Sequence, residues 1–91
     1  MKKSKHTYKD KVYNNESFKE LIRNFSFISK CKFIDCDFSY SFFKETKFFD
    51  TEFINCNLTK TDVVASELKN IKFTNCNLNA SAFNSSKFIE T

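Results

Sequence analysis

The chain carries an apolar residue at every fifth position over most of its length. The series begins at Ile28 and runs through thirteen consecutive positions to Phe88. An α-helix repeats its face about every 3.6 residues and a strand about every 2 residues, so neither accounts for a repeat of five. A backbone that made a quarter turn after each group of five residues would instead direct every fifth side chain towards one axis.

A second repeat, of twenty residues, supports this interpretation. The segments FIDCDFSYS (33–41), FINCNLTKT (53–61) and FTNCNLNAS (73–81) recur at that spacing. Four sides of five residues close a square coil, and coils stack because none can bury its apolar face alone. We therefore expect an all-β solenoid with about 20 residues per coil and three to four coils.

The predicted core contains the apolar series and the residues two positions before each of its members. Those preceding residues are small in twelve of the thirteen repeats, so they are expected to point inward as well. We place in the core Phe33, Phe38, Phe43, Phe48, Phe53, Leu58, Val63, Leu68, Phe73, Leu78, Phe83 and Phe88, with Cys31, Cys36, Cys56 and Cys76.

The chain must turn its corners without glycine or proline, because it contains neither. Asn and Asp tolerate left-handed backbone and are the expected substitutes. In a stack of coils, side-chain amides one coil apart can also hydrogen-bond along the stack. Two such ladders are predicted, one of Asp35, Asn55 and Asn75 and one of Asp37, Asn57 and Asn77.

The repeat small–x–Phe/Leu–x–x, as in CKFID, CDFSY, TEFIN and CNLTK, resembles that of the pentapeptide-repeat proteins. The resemblance covers about residues 26–91. It implies their fold, the right-handed quadrilateral β-helix. It also implies one specific function to consider, because the quinolone-resistance branch of the family mimics DNA and binds type II topoisomerases.

The chain divides into a basic N-terminal arm (1–14), an N-terminal cap (15–27) and the β-helix (28–91). In the cap, SFKE has the form of a capping box, and an apolar stripe at helical spacing follows it. This favours a short helix from about residue 18 to 24. The alternative is a further, degenerate coil, in which Tyr8, Tyr13 and Phe18 keep the phase and Arg23 interrupts it.

No catalytic or metal-binding arrangement is predicted. The four cysteines are not spaced as the close pairs of zinc sites, and Ser or Thr replaces them in other repeats. The single histidine, His6, lies in the arm, and a chain without glycine has neither a P-loop nor a dinucleotide fingerprint. We expect no enzyme activity, no metal and no cofactor.

Charge and hydropathy bound the location and the partners. The chain has no apolar run of about 20 residues for a membrane span, and its start lacks the apolar stretch of a signal peptide. A cytoplasmic location with reduced cysteines is expected. Residues 1–11 supply the whole net charge of +4, and residues 12–91 have no net charge. The basic arm is a weak candidate for nucleic-acid binding, and the neutral body does not favour a DNA mimic.

We therefore predict a protein-interaction or structural module whose partner is a protein. The candidate contact residues are apolar residues at outward positions: Ile34, Tyr40, Phe42, Phe49, Ile54 and Val64. The chain stops three residues after Phe88 with the repeat still running. We expect either a homodimer through the uncovered C-terminal coil or a longer protein.

Overall fold

The computed structural model describes residues 6–84 and 86–89. Within them the chain forms thirteen strands of three residues each, numbered in chain order, and all strand pairs are parallel. Each of the first ten strands pairs with the strand twenty residues further on, as in Phe33↔Phe53 and Phe53↔Phe73. The chain therefore winds as the four-sided β-solenoid that the repeat predicts, and its fold is the right-handed quadrilateral β-helix that the resemblance implied.

Three of the four sides are sheets. Side 1 consists of β1 (Thr7–Lys9), β4 (Phe27–Ser29), β7 (Lys47–Phe49), β10 (Glu67–Lys69) and β13 (Lys87–Ile89). Side 2 consists of β2 (Val12–Asn14), β5 (Lys32–Ile34), β8 (Glu52–Ile54) and β11 (Lys72–Thr74). Side 4 consists of β3 (Ile22–Asn24), β6 (Phe42–Lys44), β9 (Asp62–Val64) and β12 (Ala82–Asn84).

Side 3 is held by single parallel bridges that join Ser17, Asp37, Asn57 and Asn77 in order. Its corners are hydrogen-bonded turns, in which the N–H of Ser41 donates to the carbonyl of Phe38 at 3.2 Å. Four coils can thus be named: coil 1 (6–25), coil 2 (26–45), coil 3 (46–65) and coil 4 (66–84).

The corners are left-handed, as the absence of glycine requires. Every fifth residue from Asp10 to Ala80 has a φ between 51° and 61°. Seven of these fifteen residues are Asn or Asp, the residue types expected there. The others include Phe25, Tyr40 and Ala65, whose Cβ atoms make this conformation costly. The stacking of the coils therefore compensates for strain at the corners.

The core follows the five-residue series. The side chains from Phe33 to Leu68 in that series are buried, and those of Phe73, Leu78 and Phe83 in coil 4 are half-buried. The prediction for the Phe88 side chain lies outside the described residues. Rings stack between coils, with centroids 5.0 Å apart for Phe33 and Phe53 and 5.2 Å apart for Phe53 and Phe73.

The predicted N-terminal helix is absent, since residues 16–25 form two sides of coil 1 and no helix occurs in the described chain. Glu20 has a φ of 60°, which is incompatible with a right-handed helix. The N–H of Phe18 donates to the backbone carbonyl of Asp37 in the next coil at 2.6 Å. A neighbouring coil offers a partner to these backbone groups, and this outweighs the local capping signal. The alternative interpretation, a degenerate coil, describes this region.

Arg23 fits at its inward position because coil 1 lies at the end of the described stack. Its Nε donates to the Tyr8 hydroxyl at 3.0 Å, and its guanidinium lies 5.9 Å from the centroid of the Tyr8 ring. The predicted arm is also revised, because Thr7–Lys9 and Val12–Asn14 are strands of coil 1. The three lysines of residues 1–5 lie outside the described residues.

Candidate interaction surface

Inward small side chains link successive coils and explain why Cys, Ser and Thr replace one another. The Sγ of Cys56 lies 3.3 Å from the carbonyl oxygen of Phe33, and the Oγ1 of Thr61 donates to Phe38 at 2.7 Å. Both bonds reach back 23 residues to the preceding coil. The cysteines thus act as small buried donors, as a core position predicts, although Cys76 in coil 4 is only half-buried.

The thiols are free, and burial suppresses the ionisation of one of them, Cys56. Cys31, Cys36, Cys56 and Cys76 form no disulfide in the described chain. Burial raises the pKa of the Cys56 thiol to about 11, so this group stays protonated and donates its hydrogen bond. Among the described residues no group of three or more His, Cys, Asp and Glu side chains is placed to hold a metal ion.

The two predicted amide ladders differ in the structure. The Nδ2 of Asn75 donates to the Oδ1 of Asn55 at 2.7 Å, one coil away, as expected. Asn57 bonds instead within its own turn, where its Oδ1 accepts from the N–H of Thr59 at 3.0 Å. Residues 37, 57 and 77 lie at the start of the tight turns of side 3. Their side-chain oxygens therefore accept a hydrogen bond from the backbone N–H two residues later.

Asp37 begins the same kind of turn with a charged group. Its Oδ1 accepts from the N–H of Ser39 at 3.0 Å and from the Ser39 hydroxyl at 2.7 Å. These two hydrogen bonds, the backbone bond first, lower the pKa of Asp37 from its ordinary value, and Lys19 adds a smaller effect in the same direction. The carboxylate is therefore part of the turn, and not a proton donor for catalysis.

The six predicted contact residues do not form one patch. Ile34 and Ile54 are register neighbours on side 2, and both are half-buried. Phe42 and Val64 lie in different columns of side 4. Phe49 lies on side 1. The structure thus distributes these residues over three sides and one corner.

Tyr40 occupies the corner between sides 3 and 4. Its side chain is 52% exposed, and the ammonium groups of Lys19 and Lys60 lie 5.8 and 5.6 Å from the ring centroid. Lys19 belongs to coil 1 and Lys60 to coil 3, so the two lysines approach the ring from the coils on either side of coil 2. This cation–π arrangement accounts for an exposed aromatic ring at a left-handed corner.

Three outward apolar residues were missed because residues 15–27 were interpreted as a cap. Ile22 is 66% exposed and is the register neighbour of Phe42 on side 4. Phe27 packs edge-to-face on Phe49, with centroids 5.4 Å apart, and Phe25 lies at the corner beside it. Extending the five-residue phase upstream through Phe18 and Tyr13 would have placed all three on the outside.

Aromatic residues of side 1 and of its corner with side 4 border an open groove. It has a volume of about 630 Å³ and lies at the corner where coil 1 passes into coil 2. Phe25, Phe27 and Phe49 line it, together with the charged residues Glu45 and Lys47. Three outward aromatic side chains therefore come together in this part of the molecule.

The architecture described above defines the class of the protein, a quadrilateral β-helix of stacked five-residue repeats. Residues 26–91 match the family model described as a pentapeptide repeat region. This match covers more than half of the chain, so the chain belongs to the pentapeptide-repeat family. No curated protein sequence matches it significantly.

Solved structures with the same fold include QnrB1, described as a plasmid-mediated fluoroquinolone resistance protein. The match has a TM-score of 0.57 and 18% identity, and it covers 92% of this chain and 52% of the QnrB1 chain. A second match is the pentapeptide repeat protein Rfr23 from the cyanobacterium Cyanothece 51142, with a TM-score of 0.37 and 11% identity over 91% of this chain and 84% of Rfr23. The similarity to QnrB1 shows a shared fold, and this chain spans about half of the length of QnrB1.

Proposed function

We propose that the chain is a non-catalytic protein-interaction or structural module in the cytoplasm, which binds a protein partner through outward side chains on sides 4 and 1. The observation that carries this proposal is the position of the aromatic residues. Phe25 and Phe27 of the first two coils give way, one coil later in the same columns, to Glu45 and Lys47. These half-buried rings lie outside the core cluster, and clustered apolar side chains at the surface mark interaction sites.

The proposal is tested by affinity capture with three forms of the chain. The wild type is compared with an Ile22→Lys, Phe42→Lys variant of side 4 and with an Ile34→Lys, Ile54→Lys control on side 2. A specific protein should be retained by the wild type and by the control and lost by the side 4 variant. If no protein binds specifically to any form, the proposal is wrong.

A homodimer through the C-terminal end is the finer part of this proposal. In coil 4, Phe73 and Leu78 are half-buried, whereas their counterparts Phe53 and Leu58 in coil 3 are buried. A second copy packed against this end would bury the same apolar layer. Light scattering over a range of concentrations should then give twice the mass of the chain, and a monomer at every concentration would exclude the dimer.

The charge pattern does not favour the two alternatives. A DNA mimic needs a continuous acidic surface, but opposite charges alternate in one column, where Lys32 pairs with Glu52 at 3.9 Å. Excess protein should therefore leave the supercoiling activity of gyrase unchanged. Nucleic-acid binding through the basic arm would be supported by an affinity for duplex DNA that falls steeply as the salt concentration rises. This affinity should be lost when residues 1–11 are deleted.

A further inference from the structure

The groove at the corner between sides 4 and 1, here called the corner groove, combines aromatic and charged walls. Register determines this arrangement, because residues twenty apart share a column. One wall carries Phe25 and, one coil later, Glu45, and the other carries Phe27 and, one coil later, Lys47. Phe49 closes the second wall through its contact with Phe27, and Thr7 lies one coil before Phe27 at the lower end.

The two charged residues of the corner groove, Glu45 and Lys47, have no ion partner among the described residues. The ion pair that is found among the described residues joins Lys32 and Glu52 on side 2. The Glu45 carboxylate and the Lys47 ammonium are both on exposed residues. The groove therefore offers an apolar site beside one negative and one positive group, which a ligand with complementary charges can pair.

The openness of the groove favours a peptide over a small molecule. Its volume of about 630 Å³ is enough for one or two large side chains. Small-molecule sites enclose most of the ligand surface, about 70–90%. This groove is open to solvent along the corner, so an extended segment can place one side chain between the rings and continue over the neighbouring charged residues.

We propose that the corner groove binds an extended segment of a protein partner, which carries a large apolar or aromatic anchor residue with one basic and one acidic residue near it. The anchor packs between Phe25, Phe27 and Phe49. The basic residue pairs with Glu45 and the acidic residue with Lys47. This inference rests on the proposed function, since it specifies how such a module would recognise its protein partner.

The test uses a displayed library of random linear peptides, selected on the full chain. Enriched peptides should contain the anchor with both charges, and their affinities are then measured by fluorescence anisotropy of the labelled peptides. Truncation of a central aromatic residue in an interface commonly costs enough to weaken binding about tenfold or more. Phe27→Ala and Phe49→Ala should therefore each weaken binding by that amount, whereas the side 2 control Ile54→Ala should not change it.

A charge exchange separates recognition from simple apolar adhesion. The Glu45→Lys, Lys47→Glu double variant keeps the aromatic walls and reverses the two charges. It should prefer peptides in which the basic and acidic residues are exchanged, by about two- to fivefold, the effect typical of exposed ion pairs. Urea unfolding of each variant confirms that the solenoid is intact, since all five substituted positions lie outside the core.

Two other outcomes contradict the proposal, and a third separates it from the proposed function. If no peptide is enriched, or if Phe27→Ala leaves the affinity unchanged, the corner groove is not a peptide site, although capture of a partner through side 4 could still support the broader function. If light scattering shows a dimer that Phe27→Ala converts to a monomer, a second copy occupies the groove. If no partner protein is captured by any form while peptides bind the groove, the proposed function fails and the groove assignment stands.

Discussion

The corner residues show what this fold costs at the scale of single amino acids. Each corner of the solenoid holds a residue at positive φ, and eight of the fifteen in the described chain are neither Asn nor Asp. For a residue with a Cβ atom this conformation costs roughly 1–2 kcal/mol. Since the chain contains no glycine, every corner carries some of this strain.

Replacement of Ala65 by glycine should stabilise the protein. Ala65 is exposed and has a φ of 52°, so Ala65→Gly removes the Cβ clash and loses little packing. After subtraction of the larger conformational entropy of glycine in the unfolded chain, we expect a gain of about 0.5–1 kcal/mol in the free energy of unfolding. Urea denaturation measures this change.

The matched control is Ala82→Gly in β12, where the backbone is extended. There the same substitution should lower the free energy of unfolding by roughly 0.5–1 kcal/mol. The backbone of a strand has no Cβ clash to relieve, and glycine loses more conformational entropy on folding than alanine. Effects of equal sign at both positions would contradict the assignment of strain to the corners.

Two inward serines in one column should respond in opposite ways to alanine. The Oγ of Ser66 accepts from the N–H of Thr46 at 3.1 Å, so Ser66→Ala leaves a buried donor unpaired and should cost about 1–3 kcal/mol. The Oγ of Ser26 is buried and has no hydrogen-bond partner among the described residues. Ser26→Ala should therefore be neutral or stabilising in thermal unfolding, and a loss as large as that of Ser66→Ala would show that its hydroxyl is satisfied.

At the scale of elements, side 3 differs from the other sides because its turns are closed by side chains. Asp37, Asn57 and Asn77 share one position, and each oxygen accepts from the N–H two residues later. Either a carboxylate or an amide at this position therefore accepts the hydrogen bond that closes the turn. A pH titration can distinguish the two.

The stability of the protein should fall in acid partly through Asp37. Hydrogen bonds lower the pKa of this carboxyl in the folded state, so its stabilising contribution is present above the unfolded value of about 3.9 and is lost as the pH falls through the folded value. Asp37→Asn keeps the acceptor and removes the titration. Its urea midpoint should drop less than that of the wild type between neutral pH and pH values below about 4.

Asp35→Asn provides the control for this titration, because Asp35 is exposed and lies at the corner between sides 2 and 3. The pH dependence of its stability should follow that of the wild type. A wild-type pH dependence in the Asp37→Asn variant would mean that other carboxyl groups determine the acid stability.

At the scale of the whole molecule, one continuous column of rings holds the coils together. Tyr13, Phe33, Phe53 and Phe73 stack in register, with neighbouring centroids 5.0–5.2 Å apart. Because nearly all strand pairing is between coils, loss of one layer separates the coils on either side of it. Cooperative unfolding of the described solenoid is therefore expected.

Phe53→Asp should abolish folding. Removal of a buried phenylalanine alone costs about 3–5 kcal/mol, comparable with much of the stability of a small domain, and an unpaired buried charge adds further cost. Circular dichroism should show loss of the strand signal. Ile54→Asp, one residue further on and directed outward, should retain a cooperative thermal transition, and a folded Phe53→Asp variant would contradict the inward assignment.

The sequence alone was sufficient for the repeat, the coil length and the inward residues from Phe33 to Leu68. The reason is physical: a solenoid buries one residue of each pentad along a common axis, so the pattern of apolar residues directly records the geometry. Residues with a local signal that competed with this pattern were predicted less well. The capping box at Ser17 indicated a helix, and only pairing with coil 2 decided that Phe18 and Glu20 form another side.

The outward surface was decided by the tertiary structure. Residues such as Phe27 and Phe49 are 22 positions apart, and only the stacking of coils brings their rings into contact at 5.4 Å. The opposite charges of Glu45 and Lys47 likewise become walls of one groove only when the corner turns between them. The sequence by itself determined which residues point inward, because that depends on a local period; which outward residues meet depends on the register between coils and on the angle of each corner.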